Sequence, residues 1–191
     1  MLMILLLGAT LMFMWYLGAF RRITFQKGTL GPFTFVYKTV QGPYSKVGSH
    51  FQAVVKSLTE HDMDNVSTAG IYYDDPETTN HPRSAVGFLV KKEQDWSHVF
   101  EKEKKEWNVM NISETPTMVS SFPLKWTSLS CALSAIKTYP AFRKEKELFA
   151  TMKSGTMEIY SSHDGLIETH FPQNNFDQFN PQARDWSTKM D

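Results

Sequence analysis

Glu168 and His170 stand two places apart in Leu166–Pro172, a run that alternates as a strand does. They share one face, while Ile167, Thr169 and Phe171 share the other. A carboxylate gathered with aromatics such as Tyr73, Trp126 and Tyr160 suits an organic cation, by charge and by cation–π attraction. Glu168 with Tyr160 could also be cast as a base and a proton donor. Against catalysis, no nucleophile–base pair is placed by spacing and no phosphate-cradling loop is present, and Cys131 fits as a small core residue on a helix. The residues therefore read as a binding site with no cofactor and no enzymatic role. For Glu168 the alternative is a rim position, or an ion pair with a base such as Arg83. Glu60, His61, Asp62 and Asp64 crowd one loop, but no second cluster has the spacing of a metal cage, so a solvated loop is expected.

The elements that must position these residues centre on Ala69–Val90. Gly70–Tyr73 and Ser84–Val90 are rich in β-branched and aromatic residues and read as strands, joined by a long connection punctuated by Pro76 and Pro82. An echo occurs at Gly155–Ser161 and Leu166–Pro172, where Asp164-Gly165 is a strong hairpin signal. An amphipathic helix precedes each hairpin. The first spans Ser45–Thr59, with Val47, Phe51, Val54, Val55 and Leu58 at helical spacing, and follows a strand at Phe33–Val40. The second spans Trp126–Ile136, with Leu129, Leu133 and Ile136 inward and Tyr139-Pro140 kinking or ending it, and follows a strand over Asn108–Phe122. The pattern is a βαββ unit used twice, which implies a saddle with a groove between its halves. Between the two units, Asp95–Trp107 reads as a helix with Trp96, Val99, Phe100 and Trp107 on one face.

In front lies Met1–Phe20, twenty residues with no charged side chain. At roughly 1.5 Å per residue such a stretch reaches about 30 Å, the thickness of a hydrocarbon core. Trp15, Tyr16 and Phe20 cluster at its end and Arg21-Arg22 follow, as at a membrane interface. A cleaved signal peptide is the competing reading, but its basic leader is missing. Arginines on the C-terminal flank place the N-terminus across the membrane and the domain in the cytosol. The acceptor sites Asn65-Val66-Ser67 and Asn111-Ile112-Ser113 then stay free of glycans. Twenty Lys and Arg balance twenty Asp and Glu, so no bulk field favours direct nucleic-acid binding. One cysteine excludes an internal disulfide framework, and 41% hydrophobic residues suffice for a core.

Asp74-Asp75-Pro76, Pro82-Arg83 and Ala85-Val86-Gly87 sit at the spacing seen in GyrI-like domains. The match extends through Glu158-Ile159-Tyr160 and Glu168-x-x-x-Pro172. With the uncharged leader in front, the chain resembles the testis-expressed protein 264 family, membrane-anchored members of that superfamily. The resemblance implies an α+β fold: a duplicated βαββ GyrI-like domain, an antiparallel sheet with two main helices, preceded by one N-terminal transmembrane helix. Its boundaries would be an anchor over 1–20, a juxtamembrane linker over 21–32, the domain over 33–172 and a short polar tail over 173–191. It places Glu168 in a ligand groove with Tyr73, Trp126, Tyr160 and His170.

The resemblance further implies a single-pass protein of the endoplasmic reticulum, facing the cytosol as a receptor or adaptor in selective autophagy of that membrane. Its partners would be ubiquitin-like autophagy modifiers and a AAA protein-extraction ATPase. Modifiers of that kind accept an aromatic-x-x-aliphatic motif as an added strand. In the C-terminal stretch, Phe171, Phe176, Phe179 and Trp186 are followed three places on by Asn174, Phe179, Gln182 and Lys189, none of them Leu, Ile or Val. The nearest candidate is Trp96-Ser97-His98-Val99, preceded by Glu93 and Asp95, a pattern that a core-facing helix also produces. The alternative function is a small-molecule or lipid-headgroup sensor that uses the groove.

Overall fold

A computed structural model of the chain describes residues 1–63, 65–90, 107–145, 155–173 and 179. Eight strands form one antiparallel sheet: β1 (Gln26–Leu30), β2 (Phe33–Gln41), β3 (Thr68–Tyr72), β4 (Arg83–Val90), β5 (Asn108–Ile112), β6 (Thr115–Pro123), β7 (Thr156–Ser161) and β8 (Leu166–Pro172). Their order is β1-β6-β8-β7-β3-β4-β2-β5. The helices are α1 (Leu2–Tyr16), α2 (Val47–Glu60) and α3 (Thr127–Lys144). The chain is thus α+β, and β2-α2-β3-β4 and β6-α3-β7-β8 occupy equivalent places on either side of the β3–β7 pair. Each remaining strand crosses to the other half: β1 lies beside β6, and β5 beside β2.

Both faces of the sheet are buried. On one face α2 covers Val36, Val40, Val86, Phe88 and Val90 with Val47, Val54 and Leu58. On the other, Phe35, Tyr37, Ala69, Ile71, Tyr73 and Met157 form a core with Phe179. Strand spacing is unforgiving at Gly87, where a Cβ would collide with the Val36 carbonyl oxygen of the neighbouring strand.

Several sequence expectations are corrected. The helix expected to form an anchor over 1–20 ends at Tyr16, 15 residues long, because Gly18 takes a left-handed conformation at φ +85°. There Ala19 N–H donates to the Met14 carbonyl and Gly18 N–H to that of Trp15, which closes the helix in a Schellman cap. No helix among the described residues is long and apolar enough to cross a membrane. The segment expected to be a juxtamembrane linker over 21–32 contains β1, an edge strand that pairs on one side with Thr115–Val119. The single strand expected over Asn108–Phe122 is two, which separate at Ser113-Glu114 and pair with different halves.

The inward face of α3 also differs from expectation. Leu129 is 40% exposed and Ile136 70%, whereas Ser130, Ser134 and Thr138 are buried. Small hydroxyl side chains turn toward the sheet there, and Leu133 and Cys131 pack partly beneath the helix. Pro140 leaves out one helical hydrogen bond without ending the helix, which runs on to Lys144. The helix expected over Asp95–Trp107, with Trp96 and Val99, lies outside the described residues except for Trp107. That indole is buried edge-on to Phe88, with ring centroids 5.4 Å apart, and Lys38 Nζ stands 4.6 Å from its ring centroid.

Candidate functional site

The seam between the two halves is the β3–β7 pair, in which Gly70 faces Glu158 across the strands. Alternation turns Gly70 and Tyr72 of β3, and Glu158 and Tyr160 of β7, toward the helices. A Cβ on Gly70 would stand 3.0 Å from Phe51 Cζ, so the glycine lets α2 lower that ring to the seam. Phe51 then meets Tyr160 edge-on, with centroids 5.0 Å apart. From the other side, α3 sends down Tyr139. The result is a carboxylate on the floor between two helices, walled by aromatic rings.

Tyrosine hydroxyls hold that carboxylate. Tyr139 donates to Glu158 Oε1 at 2.8 Å and Tyr160 donates to Oε2. The Tyr72 hydroxyl stands 3.3 Å from that of Tyr160, and the Tyr139 hydroxyl 3.0 Å from Thr156 Oγ1. Burial raises the Glu158 pKa above its ordinary value, and the hydrogen bonds from Tyr160 and Tyr139 oppose that rise without cancelling it. Burial, reinforced by the Glu158 charge, also raises the phenols of Tyr72, Tyr139 and Tyr160. The same two causes push the Cys131 thiol up to about 12, so it stays protonated and is no nucleophile at neutral pH. In chemical terms, a carboxylate bordered by aromatic rings complements positive charge.

The residues expected to line one groove are not brought together. Tyr160 is on the seam facing the helices. Tyr73 belongs to the core on the opposite face of the sheet. Glu168 and His170 are away from the helices, since Ile167 of the same strand packs with Phe122 and Tyr160 beneath them. His170 Nε2 lies 3.7 Å from Glu168 Oε2, and its Nδ1 is 3.2 Å from Thr117 Oγ1. The His170 imidazole holds the Glu168 carboxyl below its ordinary value, against partial burial. Trp126 precedes α3, 61% exposed, with its ring 5.7 Å from that of Phe13. Trp96 and Val99 lie outside the described residues.

Arg83 pairs with Asp74 rather than with Glu168. Its Nε and Nη2 donate to the two Asp74 carboxylate oxygens, each at 2.8 Å, and its backbone N–H adds a third bond of 2.8 Å. Tyr44 donates to the carbonyls of Asp74 and Arg83, which fixes the two ends of the connection between β3 and β4. Arg143 at the end of α3 reaches Glu77 of that connection at 2.7 Å. The connection thus spans from one half to the helix of the other. His61 of the polar loop lies 2.8 Å from the Ser57 carbonyl, and no group of three or more metal-ligating side chains converges among the described residues.

Sequence reasoning set Glu168 ahead of Glu158, gave Tyr72 no role, and read Tyr139 as a helix-ending residue with no part in the site. One signal was available: Glu158 and Tyr160 stand two apart on a strand, so whatever Tyr160 faces, Glu158 faces too.

No protein-family model and no curated protein matches the sequence. Solved structures do match. The chain is similar to a candidate bacterial transcription regulation protein from Staphylococcus aureus MU50, at 11% identity and a TM-score of 0.50, over 78% of this chain and 97% of that one. It is also similar to an integron cassette protein from the mobile metagenome of Vibrio cholerae, at 11% identity and a TM-score of 0.51, over 79% and 97% of the two chains. At such identities the likeness is one of fold.

The carboxyl on the seam predicts a pH dependence. A group whose pKa is higher folded than unfolded binds its proton more tightly in the fold, so its penalty is absent below the ordinary value of 4.5 and develops as pH rises through the raised folded value. Glu158→Gln keeps the shape and removes the charge. Thermal unfolding followed from pH 4 upward should show the variant gaining on the native protein as pH rises through that window; a constant or shrinking difference would place Glu158 outside a desolvated site.

Proposed function

We propose that this chain is a membrane-anchored member of the GyrI-like superfamily, similar to the testis-expressed protein 264 family, whose domain works as a cytosolic binding module at the endoplasmic reticulum. In that reading it is a receptor or adaptor for selective autophagy of that membrane, with ubiquitin-like autophagy modifiers and a AAA protein-extraction ATPase as partner classes. The observation that carries the membrane part is α1. All of its 15 residues are uncharged, none is buried, and Leu2, Met3, Ile4 and Trp15 are each at least 71% exposed. A helix that is apolar all round and turned outward has no stable place in water. Its rise of about 22 Å is shorter than an average hydrocarbon core and better matched to a thin bilayer, of which that of the endoplasmic reticulum is one. The Arg21-Arg22 pair just beyond supports a cytosolic domain.

Topology is tested by translation into microsomes. Asn65 and Asn111 are both exposed, so a lumenal domain would present them to glycosylation. The reading expects unmodified Asn65 and Asn111 and a domain that added protease digests without detergent; glycans on either, or a protected domain, would overturn it.

A second reading, a small-molecule sensor, is favoured by Glu158, since a buried carboxylate ringed by tyrosines is more than a sheet needs for stability. Here the recognised class is a lipophilic organic cation. Tetraphenylphosphonium should raise the thermal midpoint of the native protein and of Glu168→Gln but not that of Glu158→Gln. Equal stabilisation of all three, or of none, would set the sensor reading aside.

A further inference from the structure

We infer that the outward face of α3 is a second membrane contact, lying in the headgroup region of the bilayer beside the point where α1 enters it. The inference rests on the reading of α1 as a membrane anchor and extends it to a different surface. Leu129, Ala132, Ile136 and Pro140 recur at helical spacing along α3, opposite the buried Ser130, Ser134 and Thr138. All four are exposed, Ile136 at 70%, and Trp126 precedes them at 61%.

The fold does not require this. The helix in the equivalent place of the other half, α2, is mainly polar on its exterior: Ser49, Gln52, Lys56, Thr59 and Glu60 are exposed, and Val55, at 49%, is the one large apolar side chain among them. The two helices have the same packing task on the same face of one sheet, so the apolar exterior of α3 serves something outside the fold.

What covers it follows from where α1 is fixed. Gly18 sits so close to β6 that a Cβ there would be 2.8 Å from Pro123 Cγ and 3.2 Å from Phe122 Cζ. Lys137 of α3 donates to the Ala19 carbonyl at 2.7 Å, Phe13 meets Trp126 edge-on at 5.7 Å, and Lys125 Nζ is 6.0 Å from the Tyr16 ring. The exit of α1 is therefore bound along the first half of α3, and α3 must accompany α1 to the bilayer surface. Its apolar stripe is flanked there by the exposed Arg21, Arg22 and Lys125 and preceded by an exposed tryptophan. Apolar side chains with flanking cations and an interfacial indole are the composition of a helix that lies in the plane of a bilayer containing anionic lipid.

The test uses the full chain with its one cysteine removed as Cys131→Ser and a single labelling site added. Ile136→Cys reports the stripe, Ile4→Cys reports α1, and Lys56→Cys on α2, whose native side chain is 78% exposed, gives the aqueous reference. Each carries an environment-sensitive fluorophore and is reconstituted into phosphatidylcholine–phosphatidylserine vesicles, with nitroxide lipids as depth-dependent quenchers. The expected result is a blue-shifted probe at 136, quenched several-fold more than that at 56 by a nitroxide near the headgroups, with the probe at 4 quenched from the bilayer centre. If the probe at 4 is embedded while that at 136 matches that at 56, the contact inferred for α3 is wrong and the anchor stands. If the probe at 4 also remains in water, the anchor reading fails and takes the inference with it.

Discussion

The rest of the structure is arranged around a carboxylate placed where its charge is costly. Glu158 stands at the β3–β7 pair through which the two halves join, and it is 7% exposed. A buried carboxyl must be hydrogen-bonded or neutralised. Here Tyr160 from its own strand and Tyr139 from α3 supply the bonds, while α2 contributes the Phe51 ring that closes the wall. Elements from both halves converge on one side chain, so docking of α2 and α3 and the chemistry of the seam are not separable. Gly70 is the complementary condition: opposite Glu158, any larger residue would press on Phe51.

A second constraint acts at the N-terminus. Gly18 stops α1 and at the same time lets the chain turn against Pro123 and Phe122. One residue thereby sets the length of the apolar helix and attaches its end to the domain. Because β1 follows shortly and pairs with β6, little slack separates helix from sheet. The end of the apolar helix is thereby held against the first half of α3, whereas Glu158 lies buried on the seam that α2 and α3 cover. The proposed membrane contact and the proposed binding seam lie on different parts of the domain, so the adaptor and sensor readings do not compete for the same residues.

Much of this was legible in the sequence because it is encoded locally. The two hairpins are marked by β-branched runs and turn residues, and Gly165 at φ +64° fulfils the Asp-Gly signal. The duplication was visible as the same pattern twice. What stayed hidden depends on contacts distant in sequence. The residues of β1, Gln-Lys-Gly-Thr-Leu, look like a linker until their partner, some ninety residues away, is known. The inward face of α3 was misjudged because its buried stripe is serine and threonine, and hydrophobic periodicity selects the opposite side. Glu168 drew attention over Glu158 for a related reason: both faces of the sheet are buried, so alternation pairs residues correctly without saying which face meets the helices. Ile167 and Phe171, packed on the helix side, exclude Glu168 from the seam.

The central claim is that the sheet sorts these two carboxyls onto opposite faces with opposite electrostatic consequences, and it is tested most directly by titrating both in one sample. Carbon-13 labelling of the glutamate carboxyls, with assignments from Glu158→Gln and Glu168→Gln, gives each its own curve. The account predicts that Glu158 titrates above the ordinary value of 4.5, raised by burial, and Glu168 below it, lowered by His170. A Glu158 midpoint at or below that of Glu168 would contradict it.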